Sequence, residues 1–317
     1  MVAEAALDGR DRTKTNDAMT SHRQNRRRSA SRWMGIWAAA LFAMPAAAAA
    51  GPLDLYVERT AMTAADARCG LFGEELRAAL DAGRLQARNA AVRAGADPEA
   101  IARADRQAVA AATRSACDSD SLRSAADHVR AAFDGFSQTR RITYPGERAD
   151  WRADRTAGGE QHRWRLAQDA AFDGGRMVFG LAGRDGRPVL LALASFADGR
   201  TPYAARLAVR DVDRAGQPYL GLGARADLSG RLPPPAARRT FAAEARSRAG
   251  LDLMPETMTS GWAFRFPAEA AATLAELDPR EAVAVEFLFS DGTPVRRAYV
   301  EVGDFAAGRA FLRMAAR

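Results

Sequence analysis

Lysine is almost missing from this chain. Lys14 is the only one, so nearly every cation is an arginine. Histidine occurs three times and cysteine twice. These shortages exclude a good deal. Beyond residue 50 only His128 and His162 remain, so a cysteine–histidine zinc cluster lacks ligands. Cys69 and Cys117 are far from C-x-x-C spacing, which removes the common dithiol motif. No G-x-S-x-G, H-E-x-x-H, P-loop or G-x-G-x-x-G stands in a usable frame. "GLGARA" (Gly221–Ala226) has no strand–helix setting and reads as a loop. Ser260-Gly261-Trp262 has no evident base. No catalytic residue, cofactor or metal is therefore assigned. Arginines and carboxylates are interspersed, without an Arg-rich stripe carrying aromatics, so no nucleic-acid partner is expected.

Long apolar runs are missing too, with one exception. "NRRRSASRWMGIWAAALFAMPAAAAAGPLD" joins a basic stretch (Arg26, Arg27, Arg28, Arg32) to an apolar run from Gly35 to Met44. Pro45 breaks the run, and small residues at Ala48 and Ala50 fit an A-x-A cleavage site. The pattern predicts a leader over 1–50, cut near Ala50, and a periplasmic or secreted protein. Residues 1–18 precede the basic stretch and are mixed in charge, so Met19 is the expected start of translation. The alternative is an uncut anchor, because Trp33 to Leu53 is uncharged and about the ~20 residues a bilayer needs. Membrane contact is expected only then. The whole chain carries 46 basic and 39 acidic residues. Without the eight basic and four acidic residues of 1–50, the balance is 38 against 35, or +3.

In an exported protein one cysteine pair reads as a disulfide. Leu76, Leu80 and Leu85 share a helical face within Leu71–Ala94. "AGADPE" then stops and restarts a helix: Gly95 suits the C-cap, Asp97 the N-cap and Pro98 the first turn. A second helix runs from Pro98 to about Ala116. Packed antiparallel, these two helices bring Cys69 and Cys117 together. A third helix carries Leu122, Ala126, Val129, Phe133 and Phe136 on one stripe, read as core rather than as a partner's groove. His128, beside it, reads as a surface residue. The expected arrangement is a disulfide-stapled three-helix domain over 51–138 and a β-rich domain over 139–317, an α+β protein.

In the second part Met177, Phe179 and Leu181 alternate, Asp185-Gly186 turn the chain, and Val189 to Phe196 return. The returning strand is apolar on both faces, which predicts a central or covered position. Leu207 and Val209 mark another strand. Pro233-Pro234-Pro235 reads as exposed polyproline, and 214–260 gives no clear pattern. Trp262, Phe264 and Phe266 form a strand, and Pro267 opens a short helix to about Leu277. Val283 to Phe289 and Ala298 to Val302 are strands around an Asp291-Gly292 turn. A last helix starts near Asp304. "RDGRPVLLALASFADGR" and "SDGTPVRRAYVEVGDFAAGR" share a D-G-x-P-V turn, so they are either a duplicated unit or two hairpins of like turn chemistry.

The C-terminal stretch, "FRFPAEAAATLAEL" followed by "VRRAYVEVGDFAAGRAFL", resembles the end of the invasion-associated locus B family over about sixty residues. The closing Gly303-Asp304-Phe305 matches that pattern; the family's cysteines there have no counterpart. The resemblance implies a secreted bacterial β-sandwich without an established enzymatic mechanism. The expected function is an exported, non-catalytic binding or interaction protein of the periplasm or cell envelope, its partner an envelope protein or ligand. Tyr144, Trp151, His162 and Trp164 are the candidate interaction residues. An envelope hydrolase, with acid–base chemistry at His162, and a membrane-anchored structural protein are the alternatives.

Overall fold

The computed structural model describes residues 51–221 and 227–314. The leader reading of 1–50 and all but the first residue of "GLGARA" lie outside the described residues.

Four helices open the fold: α1 (Pro52–Cys69), α2 (Glu74–Arg93), α3 (Pro98–Arg114) and α4 (Asp120–Gln138). The sequence reading placed three of them and missed α1. Pro52 starts α1, and Asp54 accepts from the Gly51 N–H at 3.1 Å. Gly70, at φ +64°, ends it in the left-handed conformation that glycine adopts freely. Buried Asp66 then fixes the turn into α2, accepting from the Phe72 N–H at 2.8 Å and from Arg77 Nε at 2.6 Å. As predicted, Asp97 caps α3, accepting from the Ala100 N–H, and Pro98 stands in its first turn.

The bridge is present, but its setting differs from the predicted hairpin. α1 packs against both α2 and α3. Tyr56 donates to Asp105 at 2.6 Å near the start of α1, and Arg68 donates to the carbonyls of Thr113 and Ser115 near its end. So α1 and α3 run in the same direction. Cys69–Cys117 joins their C-terminal ends, with Cα atoms 5.6 Å apart.

Eleven strands follow among the described residues. One antiparallel sheet has the order β1-β2-β3-β4-β5-β9-β8: β1 (Arg141–Tyr144), β2 (Trp151–Asp154), β3 (Arg163–Phe172), β4 (Gly175–Gly183), β5 (Val189–Phe196), β9 (Trp262–Arg265), β8 (Ala245–Arg248). The other runs β11-β10-β6-β7: β11 (Arg296–Glu301), β10 (Ala282–Leu288), β6 (Ala204–Arg210), β7 (Arg238–Ala242). Helices α5 (Ala268–Glu276) and α6 (Phe305–Arg313) flank them. The predicted β4–β5 hairpin is there, in the register Leu181↔Leu190 and Phe179↔Ala192.

Alternation sorts the side chains. Phe179, Leu181, Ala192, Phe264, Val285, Phe287 and Val300 point inward and join one apolar cluster. Leu80, Leu122 and Phe133 belong to the same cluster, so the helical layer and the sandwich-like sheets share a core across residue 138. Burying each such side chain contributes about 1.5–3 kcal/mol. The stripe of α4 is packing: Leu122, Ala126, Val129 and Phe133 are buried. β5 lies between β4 and β9, and its outer face is covered as its two-faced apolarity required. Leu193 packs there with Met258, Val178, Leu253 and Met254. The illegible 214–260 region supplies this cover, β7, β8 and two 3-10 turns, Leu228–Arg231 and Pro235–Ala237. Pro233 is buried, contrary to the exposed polyproline reading; only Pro234 and Pro235 face solvent.

Candidate functional site

The four aromatic and histidine candidates do not form one surface. Tyr144 and Trp151 face each other across β1–β2, but both are fully buried. Trp151 donates its indole N–H to the carbonyls of Glu301 and Val302, at 3.1 and 3.0 Å. Among the described residues the Tyr144 hydroxyl has no hydrogen-bond partner, and burial, aided by the Asp304 charge, pushes its pKa well up. Trp164 is half-buried and donates to the Leu253 carbonyl at 2.8 Å. His162 is exposed, and its Nε2 accepts from Arg184 Nε at 3.0 Å. Among the described residues no hydrogen bond joins His162 to a serine.

A more substantial cavity lies elsewhere. A cleft of about 960 Å³ opens where α5, α6 and the start of α2 meet β3, β4, β5 and β9. Its floor is apolar, with Leu181, Leu190, Phe266, Leu312 and Met314. Its charged lining is six arginines (Arg155, Arg165, Arg184, Arg265, Arg309, Arg313) and three carboxylates (Glu74, Asp185, Glu244).

Local geometry explains how arginine reaches this place. The β3–β4 register shifts between Trp164 and Leu166, leaving Arg165 as the extra residue of a bulge. Just beyond the bulge Gly180, at φ +150°, pairs with Ala167, and an added Cβ there would lie 1.9 Å from the Leu166 carbonyl oxygen. The bulge lets Arg165 line the cleft while Leu166 enters the core and Trp164 lines a separate groove of about 430 Å³. Arg165 is buried at 5% exposure, and burial pushes its pKa down, helped by the Arg163 charge and opposed by Asp154.

Asp185 organises this corner from the β4–β5 turn. It pairs with Arg165 and accepts from the N–H groups of Gly158 and Gly159, at 2.8 and 2.6 Å. The other cleft arginines differ in commitment. Arg184 pairs with Glu160 and Arg313 with Asp81. Arg155 donates to the carbonyls of Thr139 and Ser137 and lies over the Phe311 ring at 5.1 Å. Arg265 meets Glu244 only loosely, at 3.6 Å. Arg309, half-buried on α6, donates to the Ala271 carbonyl at 3.4 Å, and no carboxylate lies within ion-pair distance of it among the described residues.

Two other charged clusters are structural. Buried Glu301 accepts from the N–H groups of Glu147, Arg148 and Ala149 and so holds the β1–β2 loop. Buried Asp304 accepts from Asn89 and Arg93, both at 2.8 Å, tying α2 to the start of α6. Among the described residues no group of three or more His, Cys, Asp or Glu side chains is placed to hold a metal ion.

Sequence reading missed the cleft because its walls come from seven elements scattered between Glu74 and Met314. The one usable signal was the D-G-x-P-V turn, which supplies Asp185, Gly186, Pro188 and Val189 to the lining. Comparison of the chain with protein-family models, with curated proteins and with solved structures finds no match.

Proposed function

We propose that this chain is an exported, non-catalytic binding protein of the bacterial cell envelope, with its ligand site in the α5–α6 cleft. The carrying observation is the cleft itself: a concave cavity that joins apolar side chains to convergent charged groups, a form that suits a small ligand. Arg165, Arg184, Arg155 and Arg313 are already held by ion pairs or carbonyls, which suits a fixed receptor. Export draws support from the basic–apolar–small pattern before Gly51 and from the Cys69–Cys117 bridge, which persists in oxidising compartments. No described helix is long and apolar enough to cross a membrane. The resemblance to the invasion-associated locus B family points to the same compartment.

The test is fractionation of the native host followed by intact mass. The expected species comes from the periplasmic or secreted fraction, starts at Gly51 and has both thiols blocked until reduction. Under native conditions it carries extra, non-covalent mass. A full-length chain in the cytosol with free thiols, and no extra mass, would overturn the proposal.

A further inference from the structure

We infer that the cleft takes a single-chain amphiphile with an anionic head, and that Arg309 anchors that head. The inference rests on the binding reading above and narrows it to one ligand chemistry.

Two features of the lining demand different things of an occupant. Leu181, Leu190 and Phe266 form a buried apolar backing, and Val189 and Leu312 leave apolar surface open to a chain. The lining holds six guanidinium groups; Arg165, Arg184, Arg265 and Arg313 each have a carboxylate partner, whereas Arg309 has none within ion-pair distance among the described residues. A purely apolar ligand would leave the Arg309 charge uncompensated. A small anion would leave the floor uncovered. An amphiphile satisfies both.

Arg309 is the anchor because its donors are the least used. A guanidinium has five N–H donors. Arg309 spends one on a long bond to a carbonyl, at 3.4 Å, while half-buried beside the floor. Arg165, Arg184 and Arg313 are occupied by Asp185, Glu160 and Asp81. A carboxylate or a phosphate can accept two parallel N–H bonds from one guanidinium, which fixes the head as well as attracting it. The two heads share this chemistry, so the probes must separate them.

The experiment is calorimetric titration of the protein recovered from its host and stripped of ligand. The probes are dodecanoate, dodecyl phosphate, dodecanol, dodecyltrimethylammonium and acetate, all below micelle formation. Saturable binding of one dodecanoate or one dodecyl phosphate per chain is expected, whichever head is tighter naming the source. Dodecanol should bind on the order of tenfold more weakly, and the cationic amphiphile and acetate not measurably. Arg309→Met should weaken the anionic amphiphile about tenfold and leave dodecanol unchanged, at an unaltered unfolding midpoint. Ala268→Trp, an exposed site on the cleft wall, should abolish binding of both. Equal affinity for dodecanol and dodecanoate, or an Arg309→Met protein that binds as the parent does, overturns the inference. If no amphiphile binds while the native protein still carries extra mass, the amphiphile is wrong and the binding reading stands. If that mass is absent too, both fail.

Discussion

At Gly180 the chain has both a φ of +150° and no room for a Cβ, because the Leu166 carbonyl oxygen would lie 1.9 Å away. The close approach lies next to the β3 bulge, whose extra residue, Arg165, lines the cleft. Gly180→Ala is therefore expected to lose about 2 kcal/mol or more, from backbone strain and overpacking together. Its urea midpoint should fall well below that of the parent; an unchanged midpoint contradicts this reading of the bulge. A second residue-scale expectation concerns acid. Burial opposes the charge of Glu286, but hydrogen bonds from Arg297 at 2.7 Å and Arg206 at 2.5 Å outweigh it and hold its pKa below the usual value. A carboxyl depressed in the folded state stabilises above its unfolded pKa of about 4.3, and that stability is lost as pH falls through the folded value. Asp198, held at about 2 chiefly by Arg296, acts in the same direction. Between about pH 5 and pH 3 the parent should therefore lose more stability than Glu286→Gln. Parallel pH profiles of the two proteins would refute this.

The elements divide by how plainly their apolar face is written. α4 was legible because Leu122, Ala126, Val129 and Phe133 recur at helical spacing and are all buried. β4, β5 and β10 were legible because they alternate or are apolar throughout. α1 was not, because its buried face includes Thr60 and Asp66 beside Tyr56 and Met62. Polar burial of that kind breaks the stripe that sequence reading relies on. β3 hides in the same way, since it buries Arg165 and Gln168. β8 is exposed at all four positions, so its sequence carries no burial signal at all. The disulfide was legible by elimination, but its partners in space were not, because they depend on the missed α1. Its effect belongs to this scale. The bridge spans a separation of 48 residues, and the chain-entropy model gives about 4 kcal/mol for such a loop. Replacing both cysteines by serine should lower the denaturant midpoint accordingly. A loss below about 1 kcal/mol would mean that the α1–α3 contacts hold without it.

At the scale of the whole molecule, the apolar cluster crosses from the helices into both sheets, and the cleft opens along that seam. No single stretch of sequence contains the site, so no motif announces it. What the sequence did show, the D-G-x-P-V turn and the apolar strands behind it, builds one wall. The other walls are α5, α6 and the first turn of α2, whose approach to the sheet depends on long-range packing. Asp304 with Asn89 and Arg93 is one tie in that packing, across more than two hundred residues of chain. Under the proposed function, this seam is where a ligand sits. The most direct measurement is amide hydrogen exchange on the protein as isolated, set against the same protein stripped of ligand. Protection by the ligand is expected in α5, α6, the β4–β5 turn and β9. Protection confined to α4, or to the groove lined by Trp164 and Leu253, would contradict it.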